Sequence, residues 1–237
     1  MNVRAVFLDF GGTLAQPTPK FKRPASVWTE TFPKYNVSLA EAEVEEAIEH
    51  VDLELGGRIY SYVGRTDEFW HLYDRALMDR LGIRERRDEI ETAVQEIFDD
   101  PSSVQLYPET RDLLTELKAQ GYRMGLLSNH HDGLMKVLKY HRIDPFFESV
   151  TYSQEVGAEK PAPAMFQRAL ERAGCAASDV VHVGDSLSAD VEGARRSGLV
   201  PIWINRKGLP GSPELLTIQT LSELPPLLKQ LSRASSP

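Results

Sequence analysis

Cysteine is almost missing from this chain. Cys175 is the single one among 237 residues, which excludes an internal disulfide, and nothing else indicates an oxidising compartment. Its flanks, Arg172 to Ser178, read as a helix end, predicting a buried or half-buried thiol and not a nucleophile. Long apolar runs are missing as well. None approaches the ~20 residues a membrane helix requires, and charge interrupts the opening nine residues too soon for a signal peptide. A cytoplasmic protein with no membrane partner is expected. Positive charge is in deficit: 27 Lys and Arg stand against 35 Asp and Glu, a formal charge of −8. That argues against a nucleic-acid partner, because phosphate backbones are bound through an excess of Lys and Arg. Small phosphate substrates need only one local cluster of donors and stay open. Internal repeats and low-complexity tracts are lacking too, and only the tail from Ser232 to Pro237 reads as disordered.

Five short segments are dense in β-branched or large apolar residues: Val3–Phe10, Tyr122–Ser128, Ser149–Tyr152, Val180–Gly184 and Val200–Asn205. Continuous apolar runs of this length fit strands buried on both faces of a parallel sheet. Leu216–Leu221 is a weaker sixth candidate, suited to an edge. Helical patterns lie between them. One opens at Pro108, repeats Leu113, Leu114 and Leu117 on one face, and closes at Gly121. Two more run from Pro161 to Gly174 and from Ser188 to Gly198. This alternation predicts an α/β fold with a doubly wound parallel sheet. Residues 17–103 break it, with no convincing strand and only helical periodicity. Val44, Ile48, Val51 and Leu55 form one stripe, and Phe69, Leu72, Tyr73, Ala76, Leu77 and Leu81 another. Ile90, Val94, Ile97 and Phe98 form a third, and Val27, Trp28, Thr31 and Phe32 a shorter fourth. A smaller all-helical domain over 17–103, inserted into an α/β core of 1–16 and 104–237, is therefore expected.

In open parallel sheets, function collects at the carboxyl ends of the strands. Those ends carry Asp9-x-x-Gly12-Thr13-Leu14, then Ser128-Asn129, then Lys160-Pro161, then Gly184-Asp185 with Asp190 five residues on. Two carboxylates, a hydroxyl and an ammonium thus point into one crevice, and an acidic pair can hold a hard cation through oxygen ligands. In these four motifs and their order the chain resembles the haloacid dehalogenase-like (HAD) superfamily, whose members of this kind carry a helical cap between the first and second motifs. The resemblance covers nearly the whole chain. It implies a Rossmann-like core and a Mg2+-dependent phosphatase-type hydrolase acting on a small phosphorylated metabolite. Asp9 would attack phosphorus and form an aspartyl-phosphate that water then hydrolyses. Asp9, the backbone carbonyl of Gly11 and Asp185 would bind the metal, and Asp190 would orient it or its waters. Thr13, Ser128 and Asn129 would contact the substrate, and Lys160 would offset repulsion between two anions.

One position departs from the family pattern. Most phosphatases of this kind have an aspartate where this chain has Gly11; its carbonyl binds metal and its side chain is the general acid and base. Gly11 keeps the carbonyl and loses the carboxyl, a loss worth about 10²–10⁴-fold in rate. Good leaving groups, as in aryl or acyl phosphates, are therefore expected to be favoured. His130 and His131 are candidate surrogate acids, although solvent-facing residues at a helix start is the simpler reading. Three alternatives stay open: a metal-free 2-haloacid dehalogenase, a phosphonatase-type hydrolase, which needs a cap lysine (only Lys20, Lys22 and Lys34 are available), and a non-catalytic binding module.

Simpler readings also exist residue by residue. An aspartate after a buried strand can merely cap the next helix, Lys160 can be an exposed turn residue, and Asp190 a surface charge. Four motifs in order outweigh each of these. Trp28 and Trp70 sit in helical stripes and read as packing. The Arg- and Tyr-rich segment Arg58 to Arg65 reads as a solvated linker, with contact to the substrate's leaving group as the sharper reading.

Overall fold

In a computed structural model the described residues are 3–22, 24–56 and 65–233. The chain forms two compact units, one of residues 1–16 and 104–237 and one of residues 17–103. The segment Arg58 to Arg65 lies, apart from Arg65, outside the described residues. Among the described residues no helix is long and apolar enough to cross a membrane.

The first unit is built on a six-stranded parallel sheet. In chain order its strands are β1 (Ala5–Leu8), β4 (Arg123–Ser128), β5 (Ser149–Tyr152), β6 (Val180–Gly184), β7 (Val200–Ile204) and β8 (Thr217–Ile218). Their spatial order is β5-β4-β1-β6-β7-β8. The chain winds outward from β1 through β4 to β5, returns to the other side of β1 with β6, and winds outward again. The carboxyl ends of β1, β4 and β6 thus meet at the reversal of strand order, where open α/β sheets form their crevice.

Side-chain alternation assigns each strand residue to one face. On one face Val6, Leu8, Met124, Leu126, Val181, Val183, Ile202 and Ile204 pack with Leu113, Leu114 and Leu117 of α5 (Thr110–Ala119), with Leu134 and Leu138 of α6 (Gly133–Tyr140), and with Leu224 and Leu228 of α10 (Leu224–Arg233). On the other, Ala5, Phe7, Leu127 and Val180 meet Met165, Phe166 and Ala169 of α8 (Pro163–Ala173) and Ala194 of α9 (Gly193–Arg196). Helices on both sides explain why all four β1 residues are buried and why the strand sequences run apolar without a polar face. Phe7 lies opposite Gly125 in the register. A Cβ on that glycine would stand 2.8 Å from the Phe7 ring, so the missing side chain gives the aromatic ring its room.

Among its described residues the second unit holds four α-helices: α1 (Pro24–Thr31), α2 (Glu41–Leu55), α3 (Thr66–Arg80) and α4 (Arg87–Phe98). Trp28, Phe32, Val44, Val51, Leu77, Met78, Ile90 and Val94 form its core, which is the use that stripes at three- and four-residue spacing imply. Trp28 is fully enclosed there, in agreement with a packing role. Phe98, expected in the third stripe, is instead 40% exposed. It is the last residue of α4, past the end of the packed face.

Four features differ from the sequence expectation. A two-stranded ribbon of β2 (Ala15–Pro17) and β3 (Val104–Leu106) was not anticipated at the junction; three-residue strands carry too little periodicity to register. The helix α10 and the single turn α7 (Ser153–Val156) have no counterpart in the sequence expectation, and α6 is foreshadowed only by the helix start read at His130 and His131. The helix expected over Ser188–Gly198 is a π-helical turn, Leu187–Glu192, continued by α9. The sixth strand is real but reduced to the two residues of β8, at the edge of the sheet.

Candidate active site

All the charged site residues belong to the first unit. Asp9 follows β1 directly, and its N–H donates to Val183 O at 2.9 Å, tying the loop after β1 to β6. The residue is 6% exposed. Ser128, the last residue of β4, donates from Oγ to Asp9 Oδ1 at 3.0 Å. Thr13 Oγ1 donates to Oδ2 at 3.3 Å. Lys160 lies in the loop before α8, its side chain as buried as those around it. Its Nζ donates to Asp9 Oδ1 (2.8 Å), Asp190 Oδ1 (2.6 Å) and Leu127 O (2.9 Å). An ammonium has three protons to donate, and all three are placed. Burial works against this charge, and the carboxylates of Asp9 and Asp190 more than offset it, so the lysine pKa lies above its ordinary value.

Asp190 sits on the π-helical turn beyond β6 and is buried. Besides Lys160 it meets His182 Nε2 at 2.9 Å and accepts from Ser186 N–H at 3.0 Å. Burial opposes its ionisation; Lys160 and His182 overcome that and hold its pKa well below the usual carboxylate range. Asp185 differs. It is exposed, with its backbone carbonyl accepting from Trp203 Nε1 at 2.9 Å. Partial burial and the neighbouring carboxylates of Asp9 and Asp190 push its pKa up to about 6. Among the described residues, Asp9, Asp185 and Asp190 offer carboxylate oxygens within 4.8 Å of one another.

This donor set fits a hard divalent cation. Asp190 already has three protein partners, whereas Asp185 has a carboxylate raised by like charges, the condition a cation relieves. Two close-packed glycines complete the arrangement. A Cβ on Gly12, whose φ is +72°, would lie 2.2 Å from Asp185 Oδ2, and one on Gly184 would lie 2.1 Å from Asp190 Cγ. Both carboxylates therefore approach backbone at a distance that only glycine permits. Gly11 is open: a Cβ there would meet nothing within 4 Å.

The motif residues thus converge. Asn129 spends its amide on the Lys160 backbone, donating to Lys160 O at 3.0 Å and accepting from Lys160 N–H at 2.7 Å. Its amide thus clasps the lysine backbone. His130 is half-buried and not solvent-facing. Its ring stands edge-on to Phe10 with centroids 6.3 Å apart. Burial, then the adjacent His131, lowers its pKa to about 4, so it is neutral at pH 7 and has no extra proton to give as an acid. His182 and Trp203 escaped the sequence reading. A histidine within the otherwise aliphatic Val180–Gly184 was the available signal for the first; a strand-end tryptophan carries none.

Comparison with known proteins gives the family. A model of the haloacid dehalogenase-like hydrolases matches residues 3–198. The chain is 30% identical over 183 residues to (S)-2-haloacid dehalogenase 4A of Burkholderia cepacia, a match that covers 71% of this chain and 74% of that one. It is 33% identical over 149 residues to phosphoserine phosphatase of Thermus thermophilus, covering 60% and 57% of the two. The crystal structure of a HAD phosphatase from Thermococcus onnurineus superposes with a TM-score of 0.68 at 30% identity, over 95% of this chain and 98% of that one. With its four motifs gathered at the carboxyl ends of a doubly wound sheet, the chain belongs to the haloacid dehalogenase-like hydrolases.

Proposed function

We propose that the protein is a Mg2+-dependent phosphatase-type hydrolase of small phosphorylated metabolites, with Asp9 as nucleophile. The observation that carries the reading is the approach of the Asp9, Asp185 and Asp190 carboxylates to within 4.8 Å. A site acting without metal gains nothing from a second exposed carboxylate beside an anionic nucleophile, and suffers its repulsion. Asp9, Asp185 and the Gly11 carbonyl would hold the cation. When bound, Mg2+ neutralises charge on the phosphoryl oxygens and on the carboxylates around it.

The protein groups account for the remaining chemistry. Oδ1 of Asp9 is held by Ser128 and Lys160, while Oδ2 has one longer bond from Thr13. Oδ2 is thus the oxygen with lone pairs to spend. It forms the bond to phosphorus as the ester P–O bond breaks, and the leaving oxygen takes its proton from water because Gly11 offers none. Water then attacks the aspartyl-phosphate, returning the carboxylate and releasing inorganic phosphate. Lys160 holds Asp9 in place through both halves.

A second reading, a 2-haloacid dehalogenase, draws support from the similarity to the Burkholderia enzyme and from the missing carboxyl at Gly11. It too uses a carboxylate nucleophile, on carbon and without metal. A panel of phosphate esters and 2-haloacids, assayed with Mg2+ and with EDTA, separates the two. The phosphatase reading expects ester hydrolysis that EDTA abolishes and that falls to background in Asp9→Asn. Halide release that persists in EDTA overturns it.

A further inference from the structure

The loop from Asp9 to Ala15 contains two consecutive glycines, so it has more backbone freedom to lose than its neighbours. From Gly12 to Leu14 its peptide groups are nonetheless held. Gly12 N–H donates to Ala15 O at 2.8 Å, and Leu14 N–H to Phe10 O at 2.8 Å. Leu14 O accepts from Tyr107 N–H at 3.0 Å and from Thr110 Oγ1 at 2.7 Å. The two carbonyls between, those of Gly12 and Thr13, are met by one side chain from the far end of the sequence. Arg206, just beyond β7, donates from Nε to Gly12 O at 3.2 Å and from Nη2 to Thr13 O at 2.7 Å. Its third nitrogen, Nη1, donates to Glu109 Oε1 at 2.8 Å, and its Cζ lies 3.4 Å from the centre of the Tyr107 ring.

We propose that Arg206 is a positioning residue for the nucleophile, its guanidinium held between Glu109 and Tyr107 and fixing the Gly12 and Thr13 carbonyls so that Thr13 Oγ1 stays directed at Asp9. The contacts distinguish this role from ordinary surface pairing. The guanidinium is largely enclosed, with 16% side-chain exposure, and all three nitrogens have separate partners. A planar fork serves three acceptors at once; a lysine ammonium on a flexible stem cannot meet the same geometry. The base of the fork is fixed as well. Asn205 accepts from Leu209 N–H at 2.9 Å and donates to Leu209 O at 2.8 Å, closing the turn that aims Arg206. Any chemistry performed by Asp9 needs this loop in register, so the role holds for attack on phosphorus or on carbon.

The test compares Arg206→Ala, Arg206→Lys and Glu109→Gln in the full chain. With p-nitrophenyl phosphate and Mg2+, Arg206→Ala is expected to lower kcat about 10²-fold, the scale of a small misplacement of catalytic groups, with KM little changed. Ethylguanidinium should restore part of the loss. Arg206→Lys keeps the charge and the fold and should lie nearer to Ala than to wild type. Glu109→Gln, which leaves both carbonyl bonds, should lose least. Amide hydrogen exchange at Thr13 and Leu14 supplies a readout independent of activity and should accelerate in Arg206→Ala and Arg206→Lys. Wild-type kcat and wild-type exchange at those amides in Arg206→Lys would overturn the proposal, even if the melting temperature fell. A wild-type enzyme that hydrolyses no phosphate ester would defeat the phosphatase reading alone, since exchange at Thr13 and Leu14 still decides the role of Arg206.

Discussion

Lys160 shows how much a single residue carries in this site. Three charges share one buried volume, and among the described residues the lysine is the cation that contacts both Asp9 and Asp190. Removing one partner of a buried ion pair leaves the others uncompensated, typically at a cost of 3–5 kcal/mol. Lys160→Met is therefore expected to lower unfolding free energy by about 3–5 kcal/mol in urea titration. Loss of hydrolysis without that destabilisation would show that the triad is better solvated than its burial implies. Gly11 is the opposite case, a residue defined by what it omits. A side chain there meets nothing within 4 Å at Cβ, and its φ lies outside the left-handed region. Gly11→Asp should therefore fold normally and place a carboxyl beside the nucleophile. Under the proposed function, turnover of alkyl phosphates should rise, by up to about 10²-fold, while aryl phosphates gain little. Equal gains on both substrate types would contradict the idea that leaving-group protonation is the missing step.

Among the elements, the turn after β6 is the one most tightly constrained by the site. Its π-helical geometry places Asp190 against Gly184, and Ser186 Oγ caps it by accepting from Ala189 N–H at 3.1 Å. Gly184→Ala would put a methyl group 2.1 Å from Asp190 Cγ, forcing the turn away from Lys160. Gly174 closes α8 in the left-handed conformation, with φ +57° and nothing within 4 Å of a would-be Cβ. Gly174→Ala should cost only about 1–2 kcal/mol of backbone strain and leave hydrolysis intact. Gly184→Ala should abolish it. Activity and thermal unfolding measured on the two variants side by side check the contrast. At α8 itself, Phe166 packs against both the sheet and His182, ring centroids 5.5 Å apart. Phe166→Ala should cost about 3–5 kcal/mol through the cavity it leaves, read as a lower midpoint in urea.

For the molecule as a whole, the pH dependence of stability has a source far from the catalytic residues in sequence. Asp74 of α3 is 2% exposed and accepts from Gln95 Nε2 at 2.7 Å. Burial pushes its pKa up to about 7; Glu91 adds to the rise, while Gln95, His71 and Arg75 oppose it. The folded state thus keeps a proton that the unfolded chain releases near pH 4. The stabilisation is complete below that point and is lost as pH climbs through about 7. Thermal unfolding of the full chain should show greater stability at pH 5 than at pH 8, by on the order of a few kcal/mol. Asp74→Asn keeps the bond from Gln95 and should flatten this dependence. An unchanged profile in that variant would assign the pH effect to other groups. His130 acts in the other direction: its pKa of about 4 means stability falls as pH drops from about 6.5 towards 4.

Much of this protein is local and therefore readable from the chain alone. Strands enclosed on both faces need unbroken apolar runs, helices on a core need stripes, and the motifs put Asp9, Ser128 and Asp185 at strand ends and Lys160 in a loop beyond one. The order of those motifs was enough to indicate the family. What remained hidden depends on partners distant in sequence. The pairing of His182 with Asp190, the clasp of Asn129 on Lys160 and the reach of Arg206 to Gly12 and Thr13 join segments separated by 8 to 194 residues. No periodicity encodes such contacts, because each arises only when the sheet brings its strand ends together. The same holds for the ionisation of Asp74 and His130, which burial sets and composition does not.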